Sequence, residues 1–286
     1  MYRGLHRKSG GFTILETIIV LTVTIALLGS MLALFQGRIP RTQFAKAVNE
    51  LSVRLTDVAT QVADGNYPEI SNINCATPPG GGLPTITTEA TATGQGTSQD
   101  CIFLGQAVKF GSKNCNIGNN ECDDLKIFTV AGSRKYTDLN GEHVVNSLSN
   151  ASPNSSDTVA VQTYKLGYGL QIKKAYYIDD SNKVEGVAYL QQFGSSINLA
   201  GDPEGILPIN LYPINGDVGV SPDGDFAGAS IQTLGGTGVK PATIKVCLQS
   251  GTSDQYAILD LGLGGNAGDV QQRIVSKADW DADGCD

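Results

Sequence analysis

Hydrophobic positions along the chain follow three regimes. From Ile18 to Phe35 the run IIVLTVTIALLGSMLALF carries no charge. With residues 12–17 added it makes enough helix, at about 1.5 Å per residue, to cross a hydrocarbon core of about 30 Å. Beyond Pro40, the residues Phe44, Val48, Leu51, Leu55, Val58 and Val62 recur at alternating spacings of four and three. That is the apolar stripe of an amphipathic helix ending near Asp64 and Gly65, and a β-sheet in the following segment is its expected partner. Gly37 and Pro40 mark a kink between the two regimes, so residues 12–64 are expected to form one bent helix of about 80 Å.

From residue 65 the helical period fades and turn residues multiply. Strands are expected in CIFLGQAVKF (101–110), LKIFTVAG (125–132), TVAVQTY (158–164), LQIKKAYYI (170–178), KVEGVAYLQQF (183–193), TIKVCLQSG (243–251), QYAILDLGL (255–263) and VQQRIVS (270–276). Short strands parted by Gly, Asn and Asp turns predict mostly antiparallel pairing, and hence an α+β fold. Residues 76–100, rich in Gly, Thr and Pro, read as one long surface loop.

Composition narrows the function. Charged residues are only 17% of the chain and glycine reaches 35 residues, a balance that suits a β-rich, loop-rich head. The net charge is −8, and loss of residues 1–11, which carry three cations and no acid, leaves −11. Such a surface repels phosphate backbones, so no specific nucleic-acid partner is inferred. The two histidines, His6 and His143, are too few for a His-rich metal centre or a second triad option. No G-x-S-x-G and no phosphate-binding glycine loop is present, and nothing in the chain calls for an enzyme.

The six cysteines, Cys75, Cys101, Cys115, Cys122, Cys247 and Cys285, all lie beyond the apolar run and never form CxxC. An even number in that position suits an oxidising, extracytoplasmic compartment. Order along the chain suggests Cys75 with Cys101, Cys115 with Cys122, and Cys247 with Cys285. Free buried thiols are the alternative.

One residue breaks the first regime. Glu16 sits near the start of the apolar run, where a carboxylate is costly unless neutralised or paired. Before it come Arg3, His6, Arg7 and Lys8, so by the positive-inside rule the N-terminus stays cytoplasmic and the chain beyond Arg38 is exported. The segment FQGRIPRTQF after the run is a poor signal-peptidase site, whereas Gly10 and Gly11 precede it. The stretch GGFTILETIIVLTVTIAL resembles the processing signature of type IV prepilins and type II secretion pseudopilins: a short basic leader, Gly11 before the cut, aromatic Phe12 after it, and Glu16 fifth in the mature chain. The resemblance implies cleavage between Gly11 and Phe12 by a membrane prepilin peptidase, N-methylation of Phe12, and assembly with other pilin subunits into a cell-surface filament. It also implies that Glu16 neutralises the Phe12 amine of a neighbouring subunit. The alternative is a carboxylate that snorkels to the headgroups. The organisation expected is a leader (1–11), a transmembrane and stalk helix (12–64) and a β-rich extracytoplasmic head (65–286). The strands at 101–132 and 245–262 look similar to GspH and FimT-type pilin-like heads, with residues 132–240 as an elaboration.

Three further patterns invite chemistry. DWDADGCD (279–286) places Asp279, Asp281 and Asp283 before Gly284, the opening of an EF-hand-type calcium loop without its closing Glu, and an acidic tail held by Cys285 is the plainer reading. SPDGDFAG (221–228) sets two acids in what a β-turn explains equally well. KLGYGLQIKKAYY interleaves lysines and tyrosines in a way that fits base stacking, though alternating strand faces account for most of it.

Overall fold

The computed structural model describes residues 13–36, 38–65, 73–76, 85–88, 101–111, 123–155, 161–178, 182–191, 209–215, 243–263 and 266–285. The chain divides into two compact units, Met1–Gln43 and Phe44–Asp286.

In the first unit, helix α1 (Ile14–Gln36) is built from the uncharged run. Helix α2 (Arg38–Ala63) starts two residues later, and Gly37 lies outside the described residues. Pro40 is the third residue of α2 as described, and the Gly37 end of the expected kink falls outside the described residues.

The second unit holds the rest of α2 and two antiparallel sheets. Along the first, β11 (Ile209–Asn215), β10 (Val184–Gln191), β3 (Cys101–Phe110) and β4 (Asp124–Ser133) are neighbours, and the far edge of β4 pairs with β7 (Asn154–Ser155) and β8 (Val161–Lys165). The second runs β14 (Val270–Val275), β13 (Tyr256–Leu261), β12 (Ile244–Ser250), β9 (Leu170–Tyr177). Two hairpins stand apart, β1 (Ile73–Ala76) with β2 (Thr85–Thr88) and β5 (Lys135–Asp138) with β6 (Gly141–Val144). Two short helices, α3 (Leu148–Ala151) and α4 (Lys277–Ala282), complete the described elements. All eight strands expected from sequence are present, within a few residues at their ends.

The main core explains why the chain needs both sheets. Phe44, Val48, Leu51, Leu55, Val58 and Val62 of α2 are buried against Val108, Leu125, Val187 and Tyr189 of the first sheet and Ile172, Val246, Leu248 and Leu259 of the second. Polar bonds fix the helix on both sides. Arg54 donates to Gln162 Oε1 at 2.8 Å and Gln191 to Val62 O at 3.5 Å on the first sheet, while Gln272 donates to Asn49 Oδ1 at 3.1 Å on the second. The sheets meet where β9 runs into β10. There Tyr177 N–H donates to Asn182 O, and Tyr176 bridges Lys183 before the strands part into different sheets.

Each sheet is covered on its other face as well. Leu104, Ala107, Phe128, Ala188 and Leu190 pack beneath Val145 and Ala151 on the first, and Tyr176, Cys247, Tyr256 and Ile258 pack beneath Trp280 of α4 on the second. Cover on both sides is why CIFLGQAVKF reads as a nearly unbroken apolar run rather than an alternating one.

Three expectations change. Residues 76–100 are not one loop, because Thr85–Thr88, rich in β-branched threonine, pairs with Ile73–Ala76. Residues 132–240 are not an appendage, because they supply β9 and β10, and β10 pairs directly with β3. Strand β11 escaped notice because of Pro213. As the last strand of its sheet among the described residues, it tolerates the lost N–H.

Strand β3 also contains the tightest of the backbone approaches at the described glycines. A Cβ at Gly105 would lie 2.0 Å from the carbonyl oxygen of Tyr189 on β10. Gly105→Ala is therefore expected to cost about 2–4 kcal/mol through forced separation of the two central strands. Thermal melts of the detergent-solubilised chain check this, and an unchanged midpoint would contradict the close approach.

Candidate functional site

Gly11 and Phe12 lie outside the described residues, so the site begins at Thr13. Its Oγ1 accepts the N–H of Glu16 at 3.3 Å, and its carbonyl accepts the N–H of Thr17 at 3.2 Å. Thr13 is thus the N-cap of α1, and Glu16 stands three residues on, the T-x-x-E spacing of a capping box. That signal lies in the letters TILE. A negative charge in a first turn is also favoured by the helix dipole. Glu16 is exposed and makes no ion pair among the described residues.

The rest of α1 is prepared for an apolar surrounding. Every side chain from Ile14 to Met31 is exposed, and this stretch is long and apolar enough to cross a membrane. Its hydroxyls do not oppose that. Thr17 donates to Ile14 O at 2.8 Å, Thr22 to Ile19 O at 2.9 Å, Thr24 to Val20 O at 2.8 Å and Ser30 to Leu27 O at 2.8 Å. Each polar hydrogen is satisfied within the helix, which lowers the cost of placing it in lipid.

At the other end of the chain the three acids lie on and just after a short helix. Residues 277–282 are the helix α4, with Ser276 as N-cap, and its Oγ both accepts the Asp279 N–H and donates to Asp279 Oδ2. Asp281 pairs with Lys277 at 2.5 Å, one turn earlier. Gly284, at φ +78°, is the left-handed residue of a Schellman ending, with Gly284 N–H to Asp281 O and Cys285 N–H to Trp280 O. The glycine that resembled a calcium-loop turn is a helix stop. Among the described residues no group of three or more metal-ligating side chains converges.

Asp283 is the centre of a different cluster. It pairs with Lys245 at 2.5 Å and Arg273 at 2.8 Å, and Arg273 also reaches Asp260 at 3.4 Å. The Tyr176 hydroxyl donates to Asp283 O, and Lys174 donates to Gly284 O at 2.6 Å. Burial alone would raise the Asp283 carboxyl. The hydrogen bond and charge of Lys245, then those of Arg273, outweigh it and hold the group below its ordinary value. Beneath the cluster Cys247 and Cys285 form a disulfide, as their order along the chain suggested. Cys101 is also in a disulfide. The side chain of Cys75 and all of Cys115 and Cys122 lie outside the described residues, as does SPDGDFAG.

Several lysines and tyrosines of KLGYGLQIKKAYY are engaged within the fold. Lys46 of α2 donates to the Tyr168 hydroxyl at 3.0 Å, Tyr164 stands by Glu50 and Arg54, and Lys174 and Tyr176 belong to the Asp283 cluster.

Comparison with protein-family models, curated proteins and solved structures finds no match for this chain. What the fold itself defines is an α+β protein with an N-terminal helix long and apolar enough to span a membrane, a mostly antiparallel β region and a disulfide that ties down the last described helix.

Because the folded Asp283 has the lower pKa, its contribution is complete above the ordinary aspartate value of 3.8 and is lost as pH falls through the depressed one. Asp283→Asn is expected to cost about 1–3 kcal/mol at neutral pH by leaving Lys245 and Arg273 short of a counter-charge. It is also expected to flatten the loss of stability below pH 3.8. Melting curves of both chains across the acid range decide it. Equal acid slopes would remove Asp283 from the account.

Proposed function

We propose that the chain is a structural subunit, a minor pilin, of a type IV pilus-like filament. In this reading it is cut after Gly11 by a prepilin peptidase, methylated at Phe12, and held in the cytoplasmic membrane by α1 with the β-rich head outside. It then polymerises with other pilin subunits through its N-terminal helix, in service of adhesion, motility or DNA uptake. The observation that carries the reading is the first turn of α1: an apolar helix exposed from Ile14 to Met31 whose carboxylate, Glu16, has no cation partner among the described residues. In an apolar setting such a group needs a counter-charge from elsewhere, and the new amine of a processed Phe12 on a neighbour supplies one. The internally bonded hydroxyls leave that carboxylate as the one charge α1 carries into the membrane. A pseudopilin of a type II secretion system shares all of this and differs only in its partners. No cofactor or catalytic residue enters the mechanism.

A second reading has its own observation. The T-x-x-E spacing and the helix dipole offer the Glu16 carboxylate a local role in the first turn of α1, which suits a membrane-anchored binding module that never polymerises. The two separate cleanly, since glutamine serves a capping box as well as glutamate does but carries no charge. If charge pairing governs assembly, Glu16→Gln and Glu16→Ala both insert in the membrane yet lower filament yield by roughly tenfold or more, as expected for loss of a poorly solvated ion pair. Normal filaments from Glu16→Gln would overturn the pairing. Mass spectrometry of sheared surface filaments tests the processing step, with methylated Phe12 as the expected N-terminus and an intact leader as the contrary result.

A further inference from the structure

Both sulfurs of the Cys247–Cys285 disulfide are hidden, with Cys247 0% and Cys285 1% exposed. Here α4 lies over the sulfurs, and it is only six residues long, too short to persist as a helix without tertiary support. Its support comes from few contacts. Trp280 packs on Tyr256 with ring centres 5.1 Å apart, Lys277 sits over both rings, and the 283–285 end is held by Lys245, Arg273, Tyr176 and Lys174. Both carboxylate oxygens of Asp283 are used, one on β12 and one on β14, so this residue spans the strand that lies between them.

We propose that the Asp283 cluster is a latch that controls chemical access to the buried Cys247–Cys285 disulfide, closed by its ion pairs to Lys245 and Arg273 and opened when α4 lifts from the sheet. Thiol–disulfide exchange requires a thiolate to reach a sulfur. With α4 docked, neither sulfur offers a surface. The bond is therefore made while α4 is undocked, and its partner is a disulfide-bearing oxidant of the exported compartment. One cysteine thiolate attacks that disulfide to form a mixed disulfide, and the second then attacks the mixed bond. The Cys247–Cys285 bond forms, the oxidant leaves as a dithiol, and the two protons released by the cysteines balance those it takes up. Docking of α4 afterwards removes the product from further exchange, so closure of the latch ends the period in which a wrong pairing can be corrected.

The test uses the full chain in detergent with dithiothreitol as the probe, alkylation at timed intervals, and peptide masses that report Cys247 and Cys285 separately from Cys101. If exchange proceeds through local opening, its rate follows the population with α4 lifted. Asp283→Asn and Lys245→Met are each expected to speed reduction of Cys247–Cys285 by about tenfold or more, as weakening of a half-buried pair implies, while the Cys101 disulfide keeps its rate. Unchanged reduction of Cys247–Cys285 would overturn the latch. So would equal acceleration of both disulfides, which would mean that the variants loosen the whole unit and not α4 alone.

Discussion

Everything in the second unit depends on one apolar stripe. The inward face of α2 touches both sheets, and among the described residues neither sheet has another helix of comparable length to cover that face. Remove the stripe and the sheet side chains packed against it face water, at a cost of order 1.5–3 kcal/mol for each large side chain uncovered. The polar contacts on either flank, Arg54 with Gln162 and Gln272 with Asn49, add little energy. They choose one rotation of the helix over the others.

The same dependence explains what the sequence revealed. The alternation of four and three from Phe44 to Val62 is visible because a helix that buries one face must repeat with its own period, and the strands of 101–132 and 244–261 are visible because cover on both faces demands long apolar runs. Strand β11 was hidden by Pro213, β2 by a threonine-rich composition that looks like loop, and the hairpin β5–β6 by side chains too polar and exposed to form a period. The interleaving of β9 and β10 with the other strands could not be read at all. Which strand neighbours which is settled by long-range packing, and local letters carry little of it.

At the two candidate sites the letters were ambiguous for a physical reason. A short acid-rich stretch ending in glycine serves equally to turn a chain around a cation and to stop a helix, since both tasks need a backbone free of Cβ and oxygens close to the main chain. Only the contacts of Asp279, Asp281 and Asp283 with a cap, a lysine one turn back and two strand cations separate the readings. The T-x-x-E of the first turn is ambiguous in the same sense. A glutamate there is supported by its own helix whatever else it meets.

The inward-bonded hydroxyls of α1 carry one more consequence. Thr17, Thr22, Thr24 and Ser30 spend their only hydrogens on their own backbone, and the side chains between them are nearly all aliphatic. To any neighbour, lipid or protein, such a rod is almost the same at every height. Sliding it by a turn exchanges one set of branched carbons for another at little cost. Positional information along α1 is therefore concentrated in the single place where that sameness fails, the carboxylate near its beginning.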